Sequence, residues 1–219
     1  MTGKANNWEF KHRVAILIAS QVVWFGLHGW KPQSPAWMIW LGATLCFGGA
    51  WMRVLAAADF RNHIMVSQSI QTSQLVSGGI YAHVRNPLYV GSVVFLAGIG
   101  MVVHPVTWFF FAAFNWYRYQ RIILAEEGFL RESHGQAFDD YCQATGRWIP
   151  VNWRPQITNI LRINSDAVFG NMLFVGAGIG FLLTAATGKM YWPWIGETGG
   201  GLITAFYILQ SRAKSTPHP

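Results

Sequence analysis

The chain has 219 residues, of which 52% are hydrophobic and only 11% are charged, and its formal net charge is +7. In soluble globular domains about 25% of the residues are charged. This composition excludes an ordinary soluble domain and favours an integral membrane protein.

Six apolar segments approach the length of a membrane-crossing helix, which needs roughly 20 residues with about 17 as the lower limit. Glu197 and the glycine run at 199–201 weaken the sixth. The segments are Val14–Trp30, Pro35–Ala58, Leu88–His104, Val106–Ala125, Ala167–Gly188 and Trp192–Gln210. We therefore predict an all-α fold, a polytopic α-helical membrane protein with five to six transmembrane helices. It would form a single membrane domain over residues 1–219, with a first helix pair at 13–58, a central part at 59–150 and a C-terminal helix pair at 166–212.

The basic residues predict the orientation of these helices. With a cytoplasmic N-terminus, all sixteen Lys and Arg residues except Lys31 and Lys189 fall on the cytoplasmic side, which is the positive-inside pattern. Because topology explains the charge and no basic and aromatic platform appears elsewhere, no nucleic-acid partner is expected. The seven histidines show no metal-ligand spacing, so no metal site is expected.

A hairpin at His104–Pro105 relates two polar motifs. The residue before a proline avoids helical angles, so the third helix should end there and the fourth should begin. Arg85 lies 19 residues before His104, and Glu126 lies 21 residues after Pro105. Because the two arms are nearly equal in length, Arg85 should lie beside Glu126 and Glu127 at the cytoplasmic face.

The third helix should begin at Asn86–Pro87, with asparagine as the N-cap and proline at the first helical position. Unpaired amides at such a helix start, together with Arg85, favour binding of a carboxylate or phosphate. Two alternatives stay open. Arg85 could be a positive-inside anchor, and the Glu126–Glu127 pair could form a salt bridge to Arg85, Arg118 or Arg121.

Two further segments have a structural interpretation. The stretch EEGFLRESHGQAFDDYCQ, which starts at Glu126, places apolar residues near helical spacing and predicts an amphipathic helix. The stretch VGAGIGF at Val175–Phe181 lies in the middle of an apolar segment with no strand before it. Its Gly176 and Gly180 therefore predict helix packing, and not a dinucleotide site.

The central part of the chain resembles the integral-membrane methyltransferases, which include isoprenylcysteine carboxyl methyltransferases and phospholipid N-methyltransferases. The resemblance covers about Leu75–Pro150 and consists of a G-x-Y-x-x-x-R-N-P-x-Y-x-G motif, an E-E motif and a terminal R-x-I-P. The residues that carry it are Gly79, Tyr81, Arg85, Asn86, Pro87, Tyr89 and Gly91, then Glu126, Glu127, Leu130, Gly135, Phe138, Tyr141, Arg147 and Pro150.

The resemblance implies a cytoplasmic pocket for S-adenosylmethionine. The cofactor-binding residues it suggests are Ser73, Gln74, Leu75, Val76, Gly79, Tyr81, Asn86, Pro87, Leu88, Tyr89 and Glu126. The catalytic candidates are Arg85, Glu126 and Glu127. Arg85 would orient the cofactor tail or the acceptor, Glu126 would hold the cofactor, and Glu127 would assist an acceptor that must lose a proton.

The function that follows is methyl transfer from S-adenosylmethionine to a membrane lipid or small hydrophobic acceptor, such as a phospholipid amine, a thiol or an isoprenyl-type substrate. Ile122 stands where the prenylcysteine enzymes have an arginine that holds the substrate carboxylate. This departure favours an amine, thiol or other apolar nucleophile.

Two alternative functions remain. Membrane reductases of sterols and enones, which use NADPH, have a similar segment, and Tyr141–Cys142 resembles the end of their sequence. The Glu126–Glu127 pair favours the methyltransferase. A non-catalytic membrane protein, such as a scaffold or a transporter subunit, is the other alternative, although few polar residues lie deep in the apolar segments.

Overall fold

The computed structural model describes residues 12–29, 31–59, 75–151 and 163–215. In these ranges the chain forms α-helices and one short 3₁₀ turn at Gly79–Ala82, without a β-strand. The all-α prediction is therefore confirmed. The α-helices are α1 (Arg13–His28), α2 (Ala36–Asp59), α3 (Pro87–Val103), α4 (Trp108–His134), α5 (Gln136–Ala144), α6 (Ser165–Phe169), α7 (Met172–Thr187) and α8 (Tyr191–Ser215).

Helix α2 is the described helix that is both long enough and apolar enough to cross a membrane. Three shorter apolar helices accompany it, at Ala15–His28, Pro87–Val103 and Met172–Thr187. The apolar helical character matches the predicted membrane protein, while the number of crossings and their orientation stay predictions.

Glycines bring the backbones of α2 and α3 into direct contact. Gly42 faces Gly98, and Gly49 faces Gly91. A methyl group on Gly49 would come within 2.5 Å of the Gly91 carbonyl oxygen and 2.6 Å of the Phe95 amide nitrogen. Such small-residue interfaces allow helices to pack closely where no hydrophobic force from water drives their association.

The same device joins α7 to α8. Gly176 packs against the backbone of Gly196, and Gly180 packs against Trp192 and Pro193. The helix-packing interpretation of Gly176 and Gly180 is thus confirmed. Gly178 of α7 in turn lies against the backbone of α2, so α2 lies between α3 and α7.

Helix α1 contacts its neighbours through large aromatic side chains. Trp24 stacks on Phe111 of α4 with ring centroids 4.7 Å apart, and Phe25 meets Trp194 of α8 at 5.3 Å. Trp24, Phe25 and Phe111 belong to the main apolar core, against which Trp194 packs and which also includes residues of α2, α3 and α7.

The hairpin between α3 and α4 forms at the predicted place. Helix α3 ends at Val103, His104 has an extended backbone, and α4 begins at Trp108. The His104 ring nitrogen Nδ1 accepts hydrogen bonds from the amides of Val106 and Thr107 at 3.3 and 3.2 Å. The hairpin therefore has a side-chain cap in addition to the proline.

The predicted single amphipathic helix after Glu126 is wrong. Helix α4 continues without interruption past Glu127 to His134, and Gly135 then adopts a φ of 52°. A left-handed φ is readily available to glycine and breaks the helical hydrogen bonding. The chain restarts as the short helix α5, whose Phe138 is buried in the described structure.

Adjacent glycines in α2 provide a test of the packing. Gly49→Ala should lower the free energy of unfolding by about 1–3 kcal/mol, because the methyl group meets the α3 backbone. Gly48→Ala meets no atom within 4 Å and should be neutral or stabilising by up to about 1 kcal/mol, since alanine favours the helix. Thermal unfolding in detergent would measure both. Equal midpoints for the two variants would contradict this α2–α3 interface.

Candidate active site

A buried carboxylate, that of Glu127, organises one end of the helix bundle. Arg147 donates to it from Nε at 3.0 Å and from Nη2 at 2.6 Å. Arg85 Nε lies 3.5 Å from the other carboxylate oxygen, and the Asn86 side-chain amide donates to that oxygen at 3.3 Å. The Glu127 side chain is only 7% exposed. Three donor groups thus compensate for the desolvation of the charge.

Three separate segments supply these groups. Arg85 and Asn86 directly precede α3, Glu127 lies in the second half of α4, and Arg147 follows α5. A parallel bridge pairs Val84 with Gly146, and the Arg85 amide donates to the Gly146 carbonyl at 2.9 Å. The structure therefore brings Arg85 and Glu127 together, as the equal arms of the hairpin predict. The hydrogen bonds that Arg147 donates to Glu127 raise the pKa of the Arg147 guanidinium, so Arg147 stays charged.

Asn86 occupies the N-cap position of α3 and Pro87 the first helical position, but the predicted side-chain cap is wrong. The Asn86 amide donates instead to Glu127 and, at 3.5 Å, to the Arg147 carbonyl. A hydrogen bond to a charged acceptor is stronger than one between neutral groups, so the Asn86 side chain turns towards Glu127 and does not cap the helix. As a consequence, no side chain caps the first turn of α3, and the positive end of its dipole faces the site.

Glu126 has different surroundings from those of Glu127. The Tyr89 hydroxyl, from the first turn of α3, donates to the Glu126 carboxylate at 2.7 Å. Glu126 is half-buried. The Tyr89 ring lies 5.4 Å from that of Tyr119. Glu126 therefore presents a carboxylate beside aromatic rings, at the beginning of α3.

A second tyrosine pair closes the site on the side of α5. Tyr141 donates its hydroxyl to the Tyr81 carbonyl at 2.7 Å. Burial raises the pKa of both phenols, and the nearby Glu126 carboxylate raises that of Tyr81 further. Both rings therefore remain neutral and act as hydrogen-bonding and packing groups.

The turn at Gly79–Ala82 is held by the end of α2. Gly79 has a φ of 61°, and the Asp59 carboxylate lies in the space that a side chain at Gly79 would occupy. Asp59 accepts the Ile80 amide hydrogen at 2.8 Å. Asp59 was not predicted as a site residue, since nothing at the end of an apolar segment indicates that it contacts a turn twenty residues later.

Arg53 is another residue that the sequence analysis missed, because the positive-inside pattern alone accounts for it. Its guanidinium donates to the Leu88 carbonyl at 3.3 Å and to the Ser92 hydroxyl. It also lies 3.8 Å from the ring centroid of Phe174. Arg53 therefore links α2 and α7 to the first turns of α3.

The other predicted site residues have the following positions. Pro87 and Leu88 lie in the first turn of α3, and Leu75 and Val76 lie half-buried in a stretch without regular secondary structure before Gly79. Ser73 and Gln74 lie outside the described residues. In the described part of the chain, no group of three or more His, Cys, Asp or Glu side chains could hold a metal ion.

Comparisons with known proteins find similarity to methyltransferases. Residues 37–137 match the model of the phospholipid methyltransferase family. A protein-S-isoprenylcysteine O-methyltransferase of Tribolium castaneum is 29% identical over 118 residues, which are 52% of this chain and 42% of that protein. The corresponding protein of Schizosaccharomyces pombe is 30% identical over 111 residues, or 49% of this chain and 47% of that protein.

Residues 37–137, somewhat less than half of the chain, are thus similar to the phospholipid methyltransferase family. The chain spans about half the length of these two relatives. A third relative, the protein-S-isoprenylcysteine O-methyltransferase of Dictyostelium discoideum, is 24% identical over 148 residues, 66% of this chain and 62% of that protein. No solved structure matches the chain.

Arg147→Met tests the ion pair that anchors the segment after α5. The substitution leaves the buried Glu127 carboxylate with fewer donors and should destabilise the fold by about 2 kcal/mol, less than for a fully buried pair because Arg147 is 33% exposed. The matched control is Arg131→Met, which removes an ion pair to Asp139 that is largely exposed to solvent and should change stability little. Chemical unfolding would compare them. Equal losses of stability in the two variants would contradict a structural role for the Glu127 network, which consists of Glu127 with Arg85, Asn86 and Arg147.

Proposed function

We propose that the protein transfers a methyl group from S-adenosylmethionine to a membrane lipid or small hydrophobic acceptor at the inner membrane face. The observation that carries the proposal is the pairing of Tyr89 with Glu126 at the uncapped start of α3, beside the Glu127 network. The family match and the names of the relatives support it.

The residues present fit the chemistry of S-adenosylmethionine. Its amino-acid tail carries a carboxylate, which suits the Leu88 amide at the start of α3, where no side chain caps the helix. Its amine and ribose hydroxyls are hydrogen-bond donors, which suit the Glu126 carboxylate. Its sulfonium is a cation, which suits the faces of aromatic rings such as that of Tyr89. When bound, it supplies an electrophilic methyl group.

Methyl transfer of this kind is an in-line displacement, so the protein contributes mainly by positioning the reactants and excluding water. The buried ion pairs serve this purpose. Arg85, Asn86 and Arg147 hold Glu127, and through it they hold the start of α3 against α4. Glu126 on the next residue is thereby kept beside Tyr89.

This arrangement divides the roles of the two glutamates. Both oxygens of Glu127 accept hydrogen bonds from charged or amide donors, so we assign Glu127 and Arg85 as positioning residues. Glu126 accepts a hydrogen bond from the Tyr89 hydroxyl, is half-buried and lies beside the start of α3, and is the better candidate to contact the cofactor. An acceptor that must lose a proton would then rely on its own acidity or on Glu126.

The relatives favour methyl transfer over the alternative reductase. The three relatives described above are named as methyltransferases, and the family model is described as a phospholipid methyltransferase. The names of these relatives specify an O-methyltransferase of protein S-isoprenylcysteine. Ile122 of this chain is a buried apolar residue of α4. We therefore keep the acceptor class as a lipid amine, a thiol or another hydrophobic nucleophile.

Two substitutions test cofactor binding. Glu126→Gln and Tyr89→Phe should each weaken S-adenosylmethionine binding by about tenfold or more. Glu126→Gln removes the carboxylate that would accept the cofactor's hydrogen bonds, and Tyr89→Phe removes the hydroxyl that holds this carboxylate in place. Isothermal titration calorimetry on the purified chain in detergent would measure the affinity. Glu132→Gln, an exposed carboxylate on the same helix, is the matched control and should bind normally. Unchanged affinity in both site variants would refute the proposal.

A transfer assay tests the reaction itself. The purified chain, incubated with methyl-labelled S-adenosylmethionine and a membrane lipid extract, should place label in an organic-soluble fraction. The Glu126→Gln variant should lose this labelling, and Glu132→Gln should retain it. The chromatographic fraction that gains label would identify the acceptor class.

A further inference from the structure

The segment that follows α5 exposes apolar side chains close to the Glu127 network. Ile149 and Val151 are 75% and 65% exposed, and Pro150 between them is exposed as well. Among the large hydrophobic residues of the described ranges, Ile149 has the highest exposed fraction. Contiguous exposed apolar side chains mark surfaces that contact a partner or a membrane. The roles proposed above for the site residues do not use these side chains.

The backbone of this segment folds tightly over Gly146. The Ile149 carbonyl oxygen occupies the space that a side chain at Gly146 would need, and Val151 Cγ2 would lie 2.9 Å from such a side chain. Gly146 itself is bridged to Val84, and its carbonyl accepts the Arg85 amide hydrogen at 2.9 Å. The exposed apolar side chains therefore belong to a turn that is joined directly to the residues before α3.

Two neighbouring side chains anchor the turn to α4 at different levels. Arg147 pairs with Glu127, and the Trp148 indole nitrogen donates to the Gln120 side-chain oxygen at 2.6 Å. Glu127 and Gln120 lie about 10 Å apart along the helix axis. The Trp148 ring centroid also lies 6.2 Å from that of Trp116, one turn further from the end of α4. The segment therefore runs back along α4 towards the first half of that helix.

The position of these contacts along α4 indicates what covers the segment. Gln120 and Trp116 lie within residues 106–125, an apolar stretch that the sequence predicts to cross the membrane. The large exposed side chains of this part of α4 are apolar or aromatic, namely Phe109, Phe110, Phe114, Trp116, Tyr117 and Leu124. Tryptophan, like Trp148 here, is enriched where a membrane meets water. The contacts of Trp148 thus make the exposed turn continuous with a surface suited to lipid, and lipid is the partner that this depth favours.

We propose that residues 148–151 form a membrane-docking segment, and that Ile149 and Val151 insert into lipid at the membrane–water interface. Insertion holds the turn after α5 in place and thereby keeps Arg147 on the Glu127 carboxylate. The bilayer is then a structural partner of the Glu127 network as well as the surroundings of the helices. The inference goes beyond the proposed function and does not depend on methyl transfer, since it concerns what covers this segment.

A fluorescent label at position 149 tests the insertion. The full chain with Ile149→Cys and Cys142→Ser is labelled and placed in phosphatidylcholine nanodiscs, and Cys46 is buried and stays unlabelled. A phosphatidylcholine with a nitroxide on its acyl chain should quench this label severalfold more strongly than aqueous iodide does. Leu124→Cys, exposed on the apolar part of α4, is the control for a lipid-facing label, and Ser133→Cys, exposed near the end of α4, is the control for a label in water.

Hydrogen exchange tests the coupling of the segment to the Glu127 network. The Arg85 amide donates to Gly146, so its exchange rate in nanodiscs reports how often the turn opens. Ile149→Ser should raise that rate about tenfold, since burial of an isoleucine side chain favours the closed turn by a factor of that order. Ile149→Leu keeps an apolar side chain and should exchange like the wild type. Ile195→Ser, the same change at an exposed isoleucine of α8, is the matched control.

Three results would overturn the proposal. Iodide quenching at position 149 as strong as that at position 133 would place the segment in water. Weak quenching by both agents would show that protein covers it, either another part of this chain or a second copy. An Arg85 exchange rate that is unchanged in Ile149→Ser, or raised equally in Ile195→Ser, would separate the segment from the Glu127 network.

Discussion

The burial of the Glu127 carboxylate is the constraint on which the proposed site depends. A charge with so little exposure is stable only if its donors are held in place, and here they come from the residues before α3 and from the segment after α5. One side chain thus ties together parts of the chain that are distant in sequence. The position of Glu126, one residue earlier on α4, and the open start of α3 both follow from that junction.

The rest of the bundle supports this junction by close backbone packing. Glycines let α2 approach α3 and let α7 approach α8, so the helices lie at distances that larger residues would prevent. Arg53 and Asp59, both near the end of α2, then contact the first turns of α3 and the Gly79–Ala82 turn. The scaffold therefore positions the region around Tyr89 from two sides, which suits a reaction that depends on placing two reactants in line.

Part of the site was predictable because it depends on length alone. A helix rises by a constant amount per residue, so the hairpin at His104–Pro105 brings Arg85 and Glu127 to one end whatever the helices' rotation. The details were not predictable in the same way. The Asn86 amide turns to Glu127 because a charged acceptor outcompetes the backbone amides that an N-cap would serve. Gly135 breaks the expected amphipathic helix because a single left-handed residue redirects the chain.

The sequence by itself determined the helical class, the apolar character of the helices, the position of the hairpin and the resemblance to membrane methyltransferases. Those properties follow from composition, local periodicity and short motifs. Only the tertiary structure decided that Arg147 pairs with Glu127 and that Tyr89 pairs with Glu126. These pairings depend on how each helix is rotated about its axis and on the path of the chain after Gly135, which arise from packing among distant segments.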